Sequence, residues 1–429
     1  MREASGNGSL FFVIFIPIVH ITACKNNHLA MNLKKILLLL PFWVYCTCFA
    51  QVGVHYDYDT HGIDAQKQED FYYEIPFEYN GQIMLKAKIG NETFDFAFDT
   101  GGYNMVTDAV KQLCGLEFLG EKPLGSANGL IKNTPIVFAP AMALGGLTIA
   151  NVQAYQVNFS QSPLMECMVS GGFIGTEIIK KYIWQIDYPN RKIVVTNNLN
   201  LLPGTVDGLK LPVVINKQGQ PYVMININGT YQYMLLDTGC SSLIMLSEKD
   251  ALRHTGTAKQ ASLLGAMIET HNGRVRDTLY AFDANIGIQG TKLPHQPALY
   301  RKGAELNLLG NPIIKNYIVT LDFTDNSLYL KPIEDAPVPD SWNHFGFTAE
   351  YDGACVVIGS LIEGSRAHKA GLVSGDEITA INGRKITCTD YCDCREMLNN
   401  VLEASADVTL TVLKNGKEMT MTFKKEKIF

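Results

Sequence analysis

The chain has 429 residues, 47% of them hydrophobic and 18% charged, with a formal net charge of −6. That composition excludes a disordered or collagen-like chain, and at roughly 100–200 residues per domain it leaves room for about two to four domains. No long Lys/Arg block interrupts it, so nucleic acid is not an expected partner.

Two apolar runs open the chain, Leu10 to Ala23 and Ile36 to Ala50. Both are shorter than the roughly 18–20 apolar residues of a spanning helix. Lys34 and Lys35, the Leu-rich run after them and Cys48-Phe49-Ala50 form a signal-peptide pattern with Met31 as its start. Ile21-Thr22-Ala23-Cys24 supports another reading, in which Cys24 is lipidated and anchors the chain to a membrane. Either way the protein is expected to be exported, to the periplasm or cell surface of a Gram-negative bacterium. Removal of residues 1–50 leaves seven cysteines, so at least one thiol is free or pairs between chains. Cys388, Cys392 and Cys394 fit no common zinc spacing and read as a local disulfide or plain thiols.

Next come two copies of one pattern. Ile83 to Ile89, a turn at Gly90-Asn91 and Phe94 to Phe98 predict a hairpin that ends in Asp99-Thr100-Gly101. Further on, Phe173-Ile174-Gly175 precedes Ile178-Ile179 and Asp187. Tyr222 to Ile227, Asn228-Gly229 and Tyr231 to Leu236 repeat the hairpin and lead into Asp237-Thr238-Gly239. Leu308-Leu309-Gly310, Ile313-Ile314 and Asp322 then repeat the downstream part. A unit of about 130 residues therefore stands twice in tandem.

One Asp-Thr-Gly is an ordinary strand-ending turn. Two at matching places ask for a common reason. A carboxylate at the end of an apolar strand is costly unless it is paired or hydrogen-bonded. A glycine two residues on lets backbone amides approach it. Two such loops face to face share a proton, and the pair can then deprotonate water while protonating a carbonyl oxygen.

With these motifs, residues Phe77 to Pro332 resemble the pepsin/retropepsin-type aspartic peptidases, in the bacterial form with both lobes on one chain. The resemblance implies an all-β bilobal double β-barrel with a cleft between the lobes. It implies Asp99 and Asp237 as the catalytic pair, with no metal and no cofactor. Thr100, Gly101, Thr238 and Gly239 would support the two loops, the threonines through hydroxyl bonds between them. Family members also close hairpins over substrate, and the matching turns here carry Asn128, Gly129, Asn272 and Gly273. His271 beside them reads as a solvated loop histidine. Where the family usually has Ser, Thr or Ala after the triplet, this chain has Gly102 and Cys240. Loss of that hydroxyl is expected to raise the pair's pKa values and move activity toward neutral pH, with Ser241 as a partial substitute. A Cys240 nucleophile would need a basic partner that the sequence does not supply.

The Pro-containing stretch 335–340 predicts a linker. Beyond it, a strand over Ala354 to Ile358, a helix over Tyr391 to Leu402 and strands over Val408 to Val412 and Met419 to Phe423 are expected. Ala370-Gly371-Leu372, Gly375-Asp376-Glu377-Ile378 and Ile381-Asn382-Gly383 resemble a PDZ domain. The resemblance implies a small α+β fold that docks peptides. Phe345, Gly346 and Phe347 would form its carboxylate-binding loop, although His344 stands where that loop usually starts with Gly.

The expected organisation is a targeting region at 1–50, an extension at 51–76, peptidase lobes at 77–200 and 201–334, and a PDZ domain at 341–426. The expected function is an exported aspartic endopeptidase acting on peptide or protein substrates. The alternative is a non-catalytic peptide-binding protein that keeps the same scaffold.

Overall fold

The computed structural model describes residues 69–428 except 203, 206, 257, 290 and 335–342. The targeting region, both readings of the chain start, Cys24 and the linker 335–340 lie outside the described residues.

Strands dominate. In the first repeat Ile83–Ile89 pairs antiparallel with Glu92–Phe98. In the second, Pro221–Ile227 pairs with Thr230–Asp237. The connection between the latter two is Asn228-Gly229, with φ of 49° and 85°. Positive φ at both central residues matches the right-handed twist of the flanking strands, which is why Asn-Gly serves there.

The downstream glycine segments return beside these strands in parallel. Phe98 faces Ile174, and Asp237 faces Gly310. The approach demands glycine: a Cβ on Gly310 would lie 1.8 Å from the Ser242 carbonyl oxygen. Each segment then enters a short helix, Thr176–Ile179 or Asn311–Ile314.

The repeats meet in one antiparallel sheet. Ile183–Asp187 of the first pairs with Tyr317–Asp322 of the second, Ile186 opposite Val319. Outward from this seam lie Lys192–Thr196 and Tyr72–Tyr79 on one side, and Ser327–Pro332 and Leu209–Ile215 on the other. Trp184 is fully buried at the seam and donates its indole N–H to the Ile179 carbonyl at 2.7 Å. Asp187 and Asp322 close tight turns by accepting the Asn190 and Thr324 amides at 3.1 and 2.9 Å.

The C-terminal unit has its own apolar core, including Phe345, Phe347, Ile358, Leu398 and Leu410. Its helix, Tyr391–Ala404, is capped by Asp390, which accepts the Asp393 amide at 3.0 Å. The strand expected from Ala354 starts instead at Val356 and runs to Ile362. Asp352 takes the Ala354 and Cys355 amides at 2.8 and 3.0 Å, which holds those residues in a turn.

The C-terminal unit joins both repeats. Val356–Ile362 extends the second repeat's long hairpin, with Ile362 opposite Leu263 and Leu361 opposite Leu264. A disulfide ties Cys392 to Cys167 in the first repeat's helix Pro163–Met168. A second, local disulfide joins Cys388 to Cys394, while Cys114, Cys240 and Cys355 are free thiols.

Candidate active site

The two Asp-Thr-Gly loops face each other across the seam. Thr100 and Thr238 hold them together with four buried hydrogen bonds. The Thr100 hydroxyl donates to the Leu236 carbonyl at 2.6 Å and accepts the Thr238 amide at 3.0 Å. Thr238 donates to the Phe98 carbonyl at 2.7 Å and accepts the Thr100 amide at 3.1 Å. Each hydroxyl therefore satisfies backbone groups that burial would otherwise orphan.

This lattice brings the carboxyls of Asp99 and Asp237 into mutual hydrogen-bond contact. Each accepts the amide of its own loop's glycine, Gly101 or Gly239, at 2.8 Å. Each also lies against the other loop's glycine. A Cβ on Gly101 would fall 2.6 Å from Asp237 Cγ, and one on Gly239 would fall 2.7 Å from Asp99 Cγ. No larger residue fits at either place.

Both aspartates are half-buried. Burial raises the Asp99 pKa, and the Gly101 and Gly102 amides oppose it. Asp237 is pushed well above the usual carboxylate range by burial first and then by the charge of Asp99. Two carboxyls in contact hold one proton between them and titrate as a unit. Such a pair can take a proton from water at one member and give one to a carbonyl oxygen from the other.

The positions after the triplets differ. A Cβ on Gly102 would lie 2.4 Å from Asp99 Oδ2, so backbone comes close where a side chain was expected. The amides of Gly102 and Cys240 act on the carboxyls in place of a hydroxyl. Ser241, the expected substitute, is exposed. Cys240 Sγ rests 3.6 Å from the Ser242 carbonyl, and burial pushes its thiol far up. A protonated thiol is a poor nucleophile.

Sequence reasoning missed two glutamines that cross between the repeats. Gln82 Nε2 donates to the Gly239 carbonyl at 2.7 Å, and Gln220 Nε2 donates to the Gly101 carbonyl at 2.5 Å. The signal was available: each glutamine stands just before the first strand of its repeat's hairpin. Asn311 adds a tie to the Thr238 carbonyl at 2.8 Å.

The candidate flap residues also come together. Asn128 Nδ2 donates to the Gly273 carbonyl at 3.0 Å, and Asn272 Nδ2 donates to the Leu124 carbonyl at 2.9 Å. Both asparagines are buried, so the turns latch on each other through them, while Ala127 and Gly129 stay exposed. His271 needs correction for the same reason. Its Nε2 is buried without a partner, and burial lowers its pKa to about 4.

In the C-terminal unit, Phe345 and Phe347 are buried and Gly346 has φ of 85°. The Gly346 amide donates to His344 Nδ1 at 3.0 Å. Burial and then Lys425 lower the His344 pKa, which keeps the ring neutral and able to accept.

Residues 339–413 match the family model of the PDZ domain. No curated protein matches the chain. The C-terminal unit is therefore a PDZ domain, a module that binds peptide or protein partners.

Proposed function

We propose that the chain is an aspartic endopeptidase that hydrolyses peptide bonds with a water activated between Asp99 and Asp237, and that its PDZ domain docks peptide segments. One observation carries this reading: two half-buried carboxyls in contact, each gripped by its own glycine amide and backed by the reciprocal threonine lattice. Thr100, Gly101, Thr238 and Gly239 position the pair, and the latched turns at Asn128 and Asn272 are the gate to open for substrate. Raised pKa values keep one proton on the pair to higher pH, so the optimum is expected nearer neutral than acid. The compartment proposed is the periplasm or cell surface of a Gram-negative bacterium, in keeping with the apolar segments at the chain start.

A quenched-fluorescence peptide library incubated from about pH 3 to about pH 8 tests this. Wild type is expected to cleave, and Asp99→Asn or Asp237→Asn to fall to background. An optimum near pH 3 would contradict the proposed effect of Gly102 and Cys240. The latched turns favour a second reading, a peptide-binding protein without turnover. Binding of library members with no cleavage at any of these pH values would establish it.

A further inference from the structure

The PDZ strand Phe347–Tyr351 has one strand partner among the described residues, Val356–Ile362. Its other edge lies toward the helix Tyr391–Ala404, with Leu398 and Cys394 buried beneath and Met397 and Val401 partly buried. An open strand edge beside an apolar helix face accepts an extended peptide as an added strand.

The loop at the start of this edge decides which part of a peptide fits. A terminal carboxylate needs free amides and a nearby cation. Here the Gly346 N–H is already held by His344 Nδ1 at 3.0 Å. Lys425 has its ammonium on the Glu403 carbonyl at 3.0 Å and above the Phe345 ring at 5.3 Å. Arg366 pairs with Glu426 at 3.3 Å. The central amide of the loop and both nearby cations thus already have partners within the protein.

The other end of the groove is bounded differently. Tyr391 opens the helix in the field of Glu269 and Arg274, which belong to the second repeat's hairpin.

We propose that the groove takes extended apolar segments through backbone pairing and side-chain burial, with no preference for a free C-terminal carboxylate. His344 imposes this by occupying the Gly346 amide. The inference rests on the peptide-docking reading given above.

The test uses one set of apolar decapeptides synthesised with free carboxyl and with carboxamide ends. Binding is measured near neutral pH to the full chain carrying Asp237→Asn, which keeps peptides intact. The two forms are expected to bind within about twofold of each other. Adding His344→Gly or His344→Leu should favour the free acid by about tenfold, the order of one charge-assisted hydrogen bond. The leucine variant keeps the ring's bulk and controls for loosening of the loop. A tenfold preference for the free acid with His344 intact overturns the inference and leaves peptide docking standing. Equal binding of both forms by all three proteins overturns the role of His344. Binding of neither form by any of them overturns the docking reading itself.

Discussion

The two repeats match in several contacts that cross between them and differ in several that each makes within itself. Thr100 and Thr238, Gln82 and Gln220, and Asn128 and Asn272 each bond to the opposite repeat, and each has its counterpart. Glu177 bonds within its own repeat, accepting the Asn104 amide at 2.8 Å, and the matching position in the second repeat is Pro312. Gly102 and Cys240 likewise face their own loops. Asn311 is an exception: it accepts the Tyr188 hydroxyl from the first repeat, while its counterpart Thr176 has a buried hydroxyl without a partner. The shared carboxyl pair fixes what lies on its pseudo-twofold.

The largest stability effect should come from breaking that symmetry at the lattice. Thr100→Val orphans the Leu236 carbonyl and the Thr238 amide, and Thr238→Val orphans their counterparts. At about 2 kcal/mol for each buried unpaired group, either variant should lose about 4 kcal/mol in urea unfolding. Threonine to serine should cost under about 1 kcal/mol at either site, since the hydroxyl remains. A difference between the two valine variants above about 1.5 kcal/mol would show that the lattice is energetically lopsided.

The disulfides sharpen a second contrast. Cys167–Cys392 spans 225 residues and joins the first repeat to the PDZ domain, whereas Cys388–Cys394 spans 6 within the domain. A cross-link that closes a longer loop restricts the unfolded chain more. Replacing Cys167 and Cys392 by serine should cost roughly 3 kcal/mol, and replacing Cys388 and Cys394 clearly less. Unfolding midpoints without reductant decide the order.

Much of this was legible in the residues. The Asn-Gly hairpin turns, the Asp-Thr-Gly loops and the paired apolar-apolar-Gly segments repeat in order, and local physics dictates what each forms. The PDZ helix is marked by Asp390 as its cap and by apolar periodicity after it. Contacts between distant segments were not legible. Nothing near Leu263 announces that Ile362 will pair with it, and nothing near Cys167 selects Cys392 over the other thiols. His271 misled because turn composition suggests solvent, whereas the opposite turn covers it. Gln82 and Gln220 were readable only by aligning the repeats one step before their strands.

Glu177 offers a smaller effect with a definite sign. Burial raises its pKa to about 7 from an ordinary value near 4.5. Between these values the folded state holds a proton that the unfolded state has released. Stability therefore falls as pH rises through this window. Glu177→Gln should remove that slope, a change on the order of 1–2 kcal/mol because the side chain is only half-buried. Unfolding at about pH 5 and about pH 8 reads it. An unchanged slope would place the pH dependence elsewhere, with Asp99 and Asp237, whose pKa values burial also raises, the next groups to test. The depressed pKa of His271 acts in the opposite direction, adding stability as pH rises from about 4 toward 6.5.

The smallest effect concerns the hairpin that carries the PDZ domain, the feature that most separates the second repeat from the first. Arg276 donates to the Gly265 carbonyl at 3.1 Å and pairs with Glu350 across the junction. The arginine side chain is 37% exposed, so water competes for the pair. Arg276→Ala should cost under about 1 kcal/mol, and a double-mutant cycle with Glu350→Ala should give a coupling of similar size. The strand pairing at Leu263 and Leu264 and the Cys167–Cys392 bond remain in both variants, so the PDZ domain should stay docked. A coupling above about 2 kcal/mol would mean that this ion pair, and not the shared sheet, holds the domain against the hairpin.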